Sequence, residues 1–230
     1  MVEIKNTQVY NLKEAVVASG NAMRLEPEEI TFESFDKSLE RCKKLAKLGG
    51  GSGHSNFRTG ILVTFDLKYP QYFTKQLQRY HWVQYVSSTS MMHRITKMDF
   101  SKCCNRYVSD AVKRNEKSLI DFYNLLLANK ESEEVWDDLM KDYIVWINSE
   151  YDDTITPSLW TKDEVLYDLY MRIISNCPMG AELWVHCSTN YEQLATIYRQ
   201  RKNHKLKEDW GEFCAWIESL PYAQELIICE

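Results

Sequence analysis

Three of the five histidines, His54, His81 and His93, fall within 40 residues of one another. They flank a glycine-rich run, Gly49 to Gly60, and a Ser/Thr run, Ser87 to Ser90. Ionisable side chains beside loops rich in short donors are where a binding or catalytic site is sought first. Between them stand Gln76 and Arg79, three residues apart, which on a helix share one face and can reach a single ligand together. A second basic cluster holds Arg199, Arg201, Lys202, His204, Lys205 and Lys207. An arginine pair there would suit one phosphate or a base edge, because guanidinium offers a planar donor fork. A solvated helix end is the plainer reading of the same residues.

Other chemistries fail on spacing. There is no G-x-S-x-G elbow, no G-K-S/T loop and no GxGxxG run from strand to helix. No carboxylate is marked as an orienter of histidine, and Cys103, Cys104 or Cys187 as a nucleophile rests on residue type alone. The seven cysteines are scattered without a C-x-x-C pair, which suits reduced thiols. Cys177, His186 and Cys187 lack the paired spacing of a zinc site, so no metal is expected. With 28 Lys and Arg against 33 Asp and Glu, the net charge of -5 gives no strong basic field for a nucleic acid, while the local basic patches can focus a small anion. Apolar runs such as Leu125 to Ala128 and Tyr143 to Ile147 are too short to cross a bilayer. The N-terminus carries neither a basic nor an apolar leader, so a cytoplasmic protein is expected. A hydrophobic fraction of 44% with 13% aromatics excludes a disordered chain.

The elements that would position these groups are mostly helical. Apolar spacing predicts helices over 12 to 25 and 35 to 48, the latter with the stripe Phe35, Leu39, Cys42 and Leu45 and a cap at Gly49 to Gly51. Gly60 to Leu67 reads as a β-strand. Pro70 then suits the first turn of a helix with Phe73, Leu77 and Tyr80 on its apolar face. Ser87 to Ser90 reads as a loop. Further helices are predicted over 117 to 129, over 132 to 149 with Val135, Leu139, Tyr143, Trp146 and Ile147, and over 162 to 174. The last two cover 191 to 200, capped by Thr189 or Asn190, and 210 to 220. No repeat or linker divides the chain, so a single domain over 1 to 230 is expected, an α/β fold with a small sheet flanked by many helices.

Residues 54 to 81, HSNFRTGILVTFDLKYPQYFTKQLQRYH, resemble the core segment of the flavin-dependent thymidylate synthases. There a His leads into a strand, a Pro opens a helix, and a Gln three residues before an Arg leads into an Arg-His-Arg signature. His54, Pro70, Gln76 and Arg79 match in order and spacing, and the likeness covers the central third of the chain. The signature itself reads Arg79-Tyr80-His81. SSTSMMHR matches the family's serine and arginine only with extra residues, and KNHKLKEDW replaces the alanine-glutamine step after the late arginine.

The resemblance implies methyl transfer to a pyrimidine deoxynucleoside monophosphate in a homotetramer, with FAD as cofactor and NADPH and methylenetetrahydrofolate as co-substrates. His54, Gln76 and Arg79 would bind the cofactor, and Ser90 and Arg94 the substrate phosphate. Arg201 would engage the pyrimidine. His81 would replace an arginine at the catalytic centre, where imidazole carries charge only when protonated. The alternative is a nucleotide- or flavin-binding protein on the same scaffold, without turnover or with altered specificity. Seven Trp and 14 Tyr would equally serve a purely structural or interaction role.

Overall fold

The structure, a computed structural model, describes residues 1–48, 53–150 and 159–229; the cap expected at Gly49 to Gly51 lies outside the described residues. The chain divides into two compact units, one of Met1–Thr89 with Glu182–Glu230 and one of Ser90–Ala181. The architecture is α/β, with a small antiparallel sheet and many helices, as the sequence predicts.

The first unit contains the sheet, in the order β1-β2-β4-β3: β1 is Glu3–Tyr10, β2 Leu62–Pro70, β3 Gln84–Ser88 and β4 Glu182–Asn190. Every neighbouring pair is antiparallel. Alternation buries Val63, Phe65, Leu67 and Tyr69 of β2 with Leu183, Val185, Cys187 and Thr189 of β4 on one face. Phe65 sits opposite Cys187 and packs on Phe213 and Trp216, with ring centroids 6.1 and 4.4 Å away. Those two rings belong to α9, Lys207–Glu218.

The predicted helix over 12 to 25 is shorter: α1 is Leu12–Ala18, followed by Gly20 and a separate 3-10 turn, Asn21–Met23. A Cβ at Gly20 would meet the Arg41 guanidinium at 2.8 Å, so that flexible side chain would have to shift. The next helix, α2, is Phe32–Lys47, opened by a capping box between Thr31 and Ser34. Pro70 ends β2 and caps α3, Gln71–Leu77, and Phe73, Leu77 and Tyr80 are buried as predicted. The last long elements of this unit are α8, Tyr191–Arg201, capped by Asn190 on the Gln193 N–H, and α9.

Three helices make up most of the second unit, after the single turn α4, Met91–Arg94. They are α5, Asp110–Ala128, α6, Glu133–Glu150, and α7, Lys162–Asn176. Ser109 caps α5, whose first residue, Asp110, lies seven residues before the predicted start at Lys117. In α6 the buried stripe is Trp136, Tyr143 and Ile147, while Val135 faces solvent; the expected stripe was one residue out of phase at its start. Among the described residues no helix is long and apolar enough to cross a membrane.

Candidate functional site

The fold gathers part of the predicted site around Trp210, which is fully buried in the first unit. Its indole Nε1 donates to Gln76 Oε1 at 3.0 Å. Arg201, the last residue of α8, lays its guanidinium over the same indole, 4.7 Å from the ring centroid, and over the Tyr80 ring at 5.5 Å. Its Nε donates to the Tyr80 hydroxyl at 2.7 Å, and one terminal nitrogen donates to Gln76 Oε1 at 3.4 Å. The Tyr80 hydroxyl in turn donates to Gln200 Oε1 at 2.9 Å. Gln76, Tyr80, Gln200, Arg201 and Trp210 therefore form one hydrogen-bonded cluster. It is positioned by the end of α3, the end of α8 and the first turn of α9.

His204 closes the edge of this cluster, its ring edge-on to Trp210 at 6.0 Å. Its Nδ1 accepts the Leu206 N–H at 3.2 Å, which leaves any ring proton on Nε2. Burial, then the nearby Arg201 and Lys205 charges, push its pKa down, so it is neutral near pH 7. The basic cluster read from the sequence is thus smaller than its composition implies. The expected arginine pair does not form either: Arg199 donates to the Ala195 carbonyl of its own helix, whereas Arg201 turns into the cluster. Two residues apart on a helix is about 200° of rotation, which separates the forks.

The other predicted residues fall elsewhere. His54 is exposed and lines a cavity of about 440 Å³ with Asn11, Ala15, Ser19, Phe57 and Thr59. Arg79 and His81 are exposed, and His81 takes no part in the Arg201 cluster. Ser90 and Arg94 belong to the second unit, where the Ser90 carbonyl accepts the Arg94 N–H. The Ser/Thr run before them is no loop, since Ser87 and Ser88 pair with His186 and Val185 in the sheet.

Three features escaped the sequence reading. Asp66 does orient a histidine: His186 Nδ1 lies 2.6 Å from Asp66 Oδ1, and Asn6 donates to the other oxygen at 2.6 Å. The Asn6 bond, then His186, holds the Asp66 carboxyl below the usual range. The β2–β4 register, which sets Asp66 opposite His186, is the signal that would have found it. Arg58 is only 2% exposed, paired with Glu192 at 2.7 Å and donating to the Leu226 carbonyl at 3.1 Å. It ties the turn before β2 to α8 and the C-terminal segment. Glu116 is buried in α5 with one oxygen that has no partner among the described residues.

Cys104 and Cys187 gain nothing as nucleophiles from the structure. Burial pushes the Cys187 thiol up to about 12, and Cys104 is raised by its neighbour Cys103 and by burial, so neither offers a thiolate. Among the described residues no group of three or more His, Cys, Asp or Glu is placed to hold a metal ion.

No protein-family model matches the sequence, and no curated protein does. Solved structures do match in fold. One is flavin-dependent thymidylate synthase ThyX from Helicobacter pylori, complexed with FAD and dUMP, at TM-score 0.55 and 15% identity, covering 99% of this chain and 97% of that one. A second structure of thymidylate synthase X from the same organism, with the same two ligands, gives TM-score 0.55 and 15% identity over 100% and 99% of the two chains. From end to end, this chain has the fold of flavin-dependent thymidylate synthase.

Proposed function

We propose that this chain is a homo-oligomeric nucleotide-binding protein of altered specificity, built on the thymidylate synthase fold, and that methyl transfer to deoxyuridine monophosphate is not its activity. One observation carries this reading: Arg201 and Gln76, the residues assigned to pyrimidine and flavin, are partners of each other, of Tyr80 and of Trp210. Freeing Arg201 for a ligand would break its bonds to the Tyr80 hydroxyl and to Gln76, and a hydrogen bond made by a charged group contributes about 1.5 to 3 kcal/mol. Tyr80 stands where the family signature has histidine, so the same substitution that breaks the motif supplies the lock.

Gln76 could meet a flavin ring only through its amide N–H donors. The Gln76 carbonyl oxygen already accepts two donors, which fills both of its lone pairs. What remains exposed is Arg79, a planar fork suited to a phosphate, with His54 beside its own cavity. The ligand class that fits is a nucleotide held chiefly by its phosphate. Exposed apolar residues on α5 to α7, among them Leu125, Leu127, Val145, Tyr167 and Met171, support assembly with further copies. A tetramer in the cytoplasm is the arrangement we propose.

A second reading is FAD-dependent methyl transfer, with NADPH and methylenetetrahydrofolate as co-substrates. The end-to-end match to two structures that hold FAD and dUMP favours it. Calorimetric titration with FAD, deoxyuridine monophosphate and other nucleoside monophosphates, run beside an assay of tritium release from uracil C5, separates the two. Nucleotide binding without release supports our proposal; release with thymidylate formation supports the second reading.

A further inference from the structure

A cavity of about 380 Å³ opens within the second unit, lined by Asn115, Glu116 and Leu119 of α5, Trp146 and Glu150 of α6 and Asn176 of α7. Its volume lies in the range of small-molecule sites, about 300 to 1,000 Å³. Glu116 is 3% exposed, and its Oε2 has no hydrogen-bond partner among the described residues. Buried carboxylates are normally paired, because an unpaired charge in a low-dielectric site is costly. The lysines that flank Glu116 on its own helix are engaged elsewhere, Lys113 with Asp110 at 3.5 Å and Lys117 with Asp121 at 2.6 Å.

We infer that this cavity binds a small organic cation bearing N–H donors, an amine or guanidinium of a few carbon atoms, with Glu116 as its anionic anchor. The lining supplies what such a ligand needs. Glu150 adds a second carboxylate, and the side-chain carbonyl of Asn115 can accept an N–H bond. Leu119 gives the carbon stem an apolar wall. An anion is excluded by the two carboxylates, and a neutral apolar ligand would leave Glu116 unpaired.

Proton linkage gives the site a signature. Burial alone pushes Glu116 up to about 7, so near neutral pH the ligand competes with a proton for the same oxygen. Among the described residues the other charged group lining the cavity is Glu150 from α6, whereas α7 contributes the uncharged Asn176.

The test is calorimetric titration of the full chain with butylamine and with methylguanidinium, using butanol as the uncharged control. At least one cation is expected to bind, about tenfold more tightly at pH 8 than at pH 6, with proton release at the lower pH. Glu116→Gln is expected to weaken binding at least tenfold. Glu150→Gln, at an exposed position, should weaken it by less and guards against a folding defect in the first variant. Absence of binding by both cations to a folded chain would overturn the proposal, as would unchanged affinity in Glu116→Gln. So would an oligomer that takes up no amine yet dissociates in Glu116→Gln, since a side chain of a second copy would then fill the cavity. Flavin and uracil nucleotides play no part in these titrations, so their outcome is independent of the reading proposed for the Arg201 cluster.

Discussion

Arg201 and Glu116 are both charged groups withdrawn from water, one in each compact unit, and the chain treats them in opposite ways. Around Arg201 the aromatic and amide neighbours are matched donor to acceptor: Tyr80, Gln76 and Gln200 close a circuit under the Trp210 ring. Glu116 has one carboxylate oxygen with no partner among the described residues, and a cavity adjoins the residue. Two of the residues that a family resemblance marks as functional, Gln76 and Arg201, are therefore engaged with each other and with Trp210, while an unmarked glutamate is left open. Polar satisfaction, more than residue type, indicates where a ligand can enter.

Replacing Trp210 by alanine should have the largest effect on this contrast. The indole is fully buried, lies 4.4 Å from the Phe73 ring and carries both Gln76 and Arg201. A loss of about 3 to 5 kcal/mol is expected, read by urea unfolding. A loss below about 1 kcal/mol would mean that the cluster is not a structural unit.

Glu116→Gln should act in the reverse direction. A carboxyl at its ordinary 4.5 in the unfolded chain and about 7 in the folded one makes the native state bind more protons between those values. Wild-type stability therefore falls as pH rises from about 4.5 to about 7, by about 3 kcal/mol, and is level above. The variant should lack that decline and unfold at higher urea than wild type at pH 8. Parallel pH profiles for the two proteins would remove the buried charge from the account.

Tyr80→Phe deletes only the hydroxyl between Arg201 and Gln200. A stability loss of about 1 to 2 kcal/mol is expected, with Arg201 freed toward ligands, so nucleotide affinity should rise while stability falls. If affinity falls together with stability, Tyr80 belongs to the binding surface instead. The smallest effect belongs to Arg79→Lys. This exposed residue should change stability by less than about 0.5 kcal/mol yet weaken phosphate-bearing ligands, since lysine keeps the charge and loses the fork. Unaltered affinity would exclude Arg79 from the site.

Helices with wide apolar stripes were legible in the sequence because a 3.6-residue period survives substitution. The path from β2 through Pro70 into α3 was legible as well, including the burial of Phe73, Leu77 and Tyr80. Three of the four strands were not. On the edge strand β1, no residue is fully buried and a bulge at Asn6, with φ of 52°, breaks the alternation. The β3 strand hides in a serine run whose side chains are exposed, so no apolar face announces it. In β4, Leu183, Val185 and Cys187 do alternate inward, and that signal was present but unread. The composition of the candidate site was visible without its wiring. Gln76, Tyr80 and Arg201 stand 121 to 125 residues apart in the pairs that bond, and only the packing of α3 against Trp210 brings them together. A helix start placed at Lys117 left out Glu116, one turn before buried Ile120 on the core face.

Tritium release from C5 of deoxyuridine monophosphate tests the central claim most directly. The assay is run with FAD, NADPH and methylenetetrahydrofolate at about pH 6 and pH 8, which spans the protonation range of histidine. If Arg201 is held by Tyr80 and Gln76, release should stay at the protein-free level at both pH values, in wild type and in His81→Arg alike. Release by the wild-type chain that Arg201→Ala abolishes would show the guanidinium acting on the pyrimidine and would contradict the account.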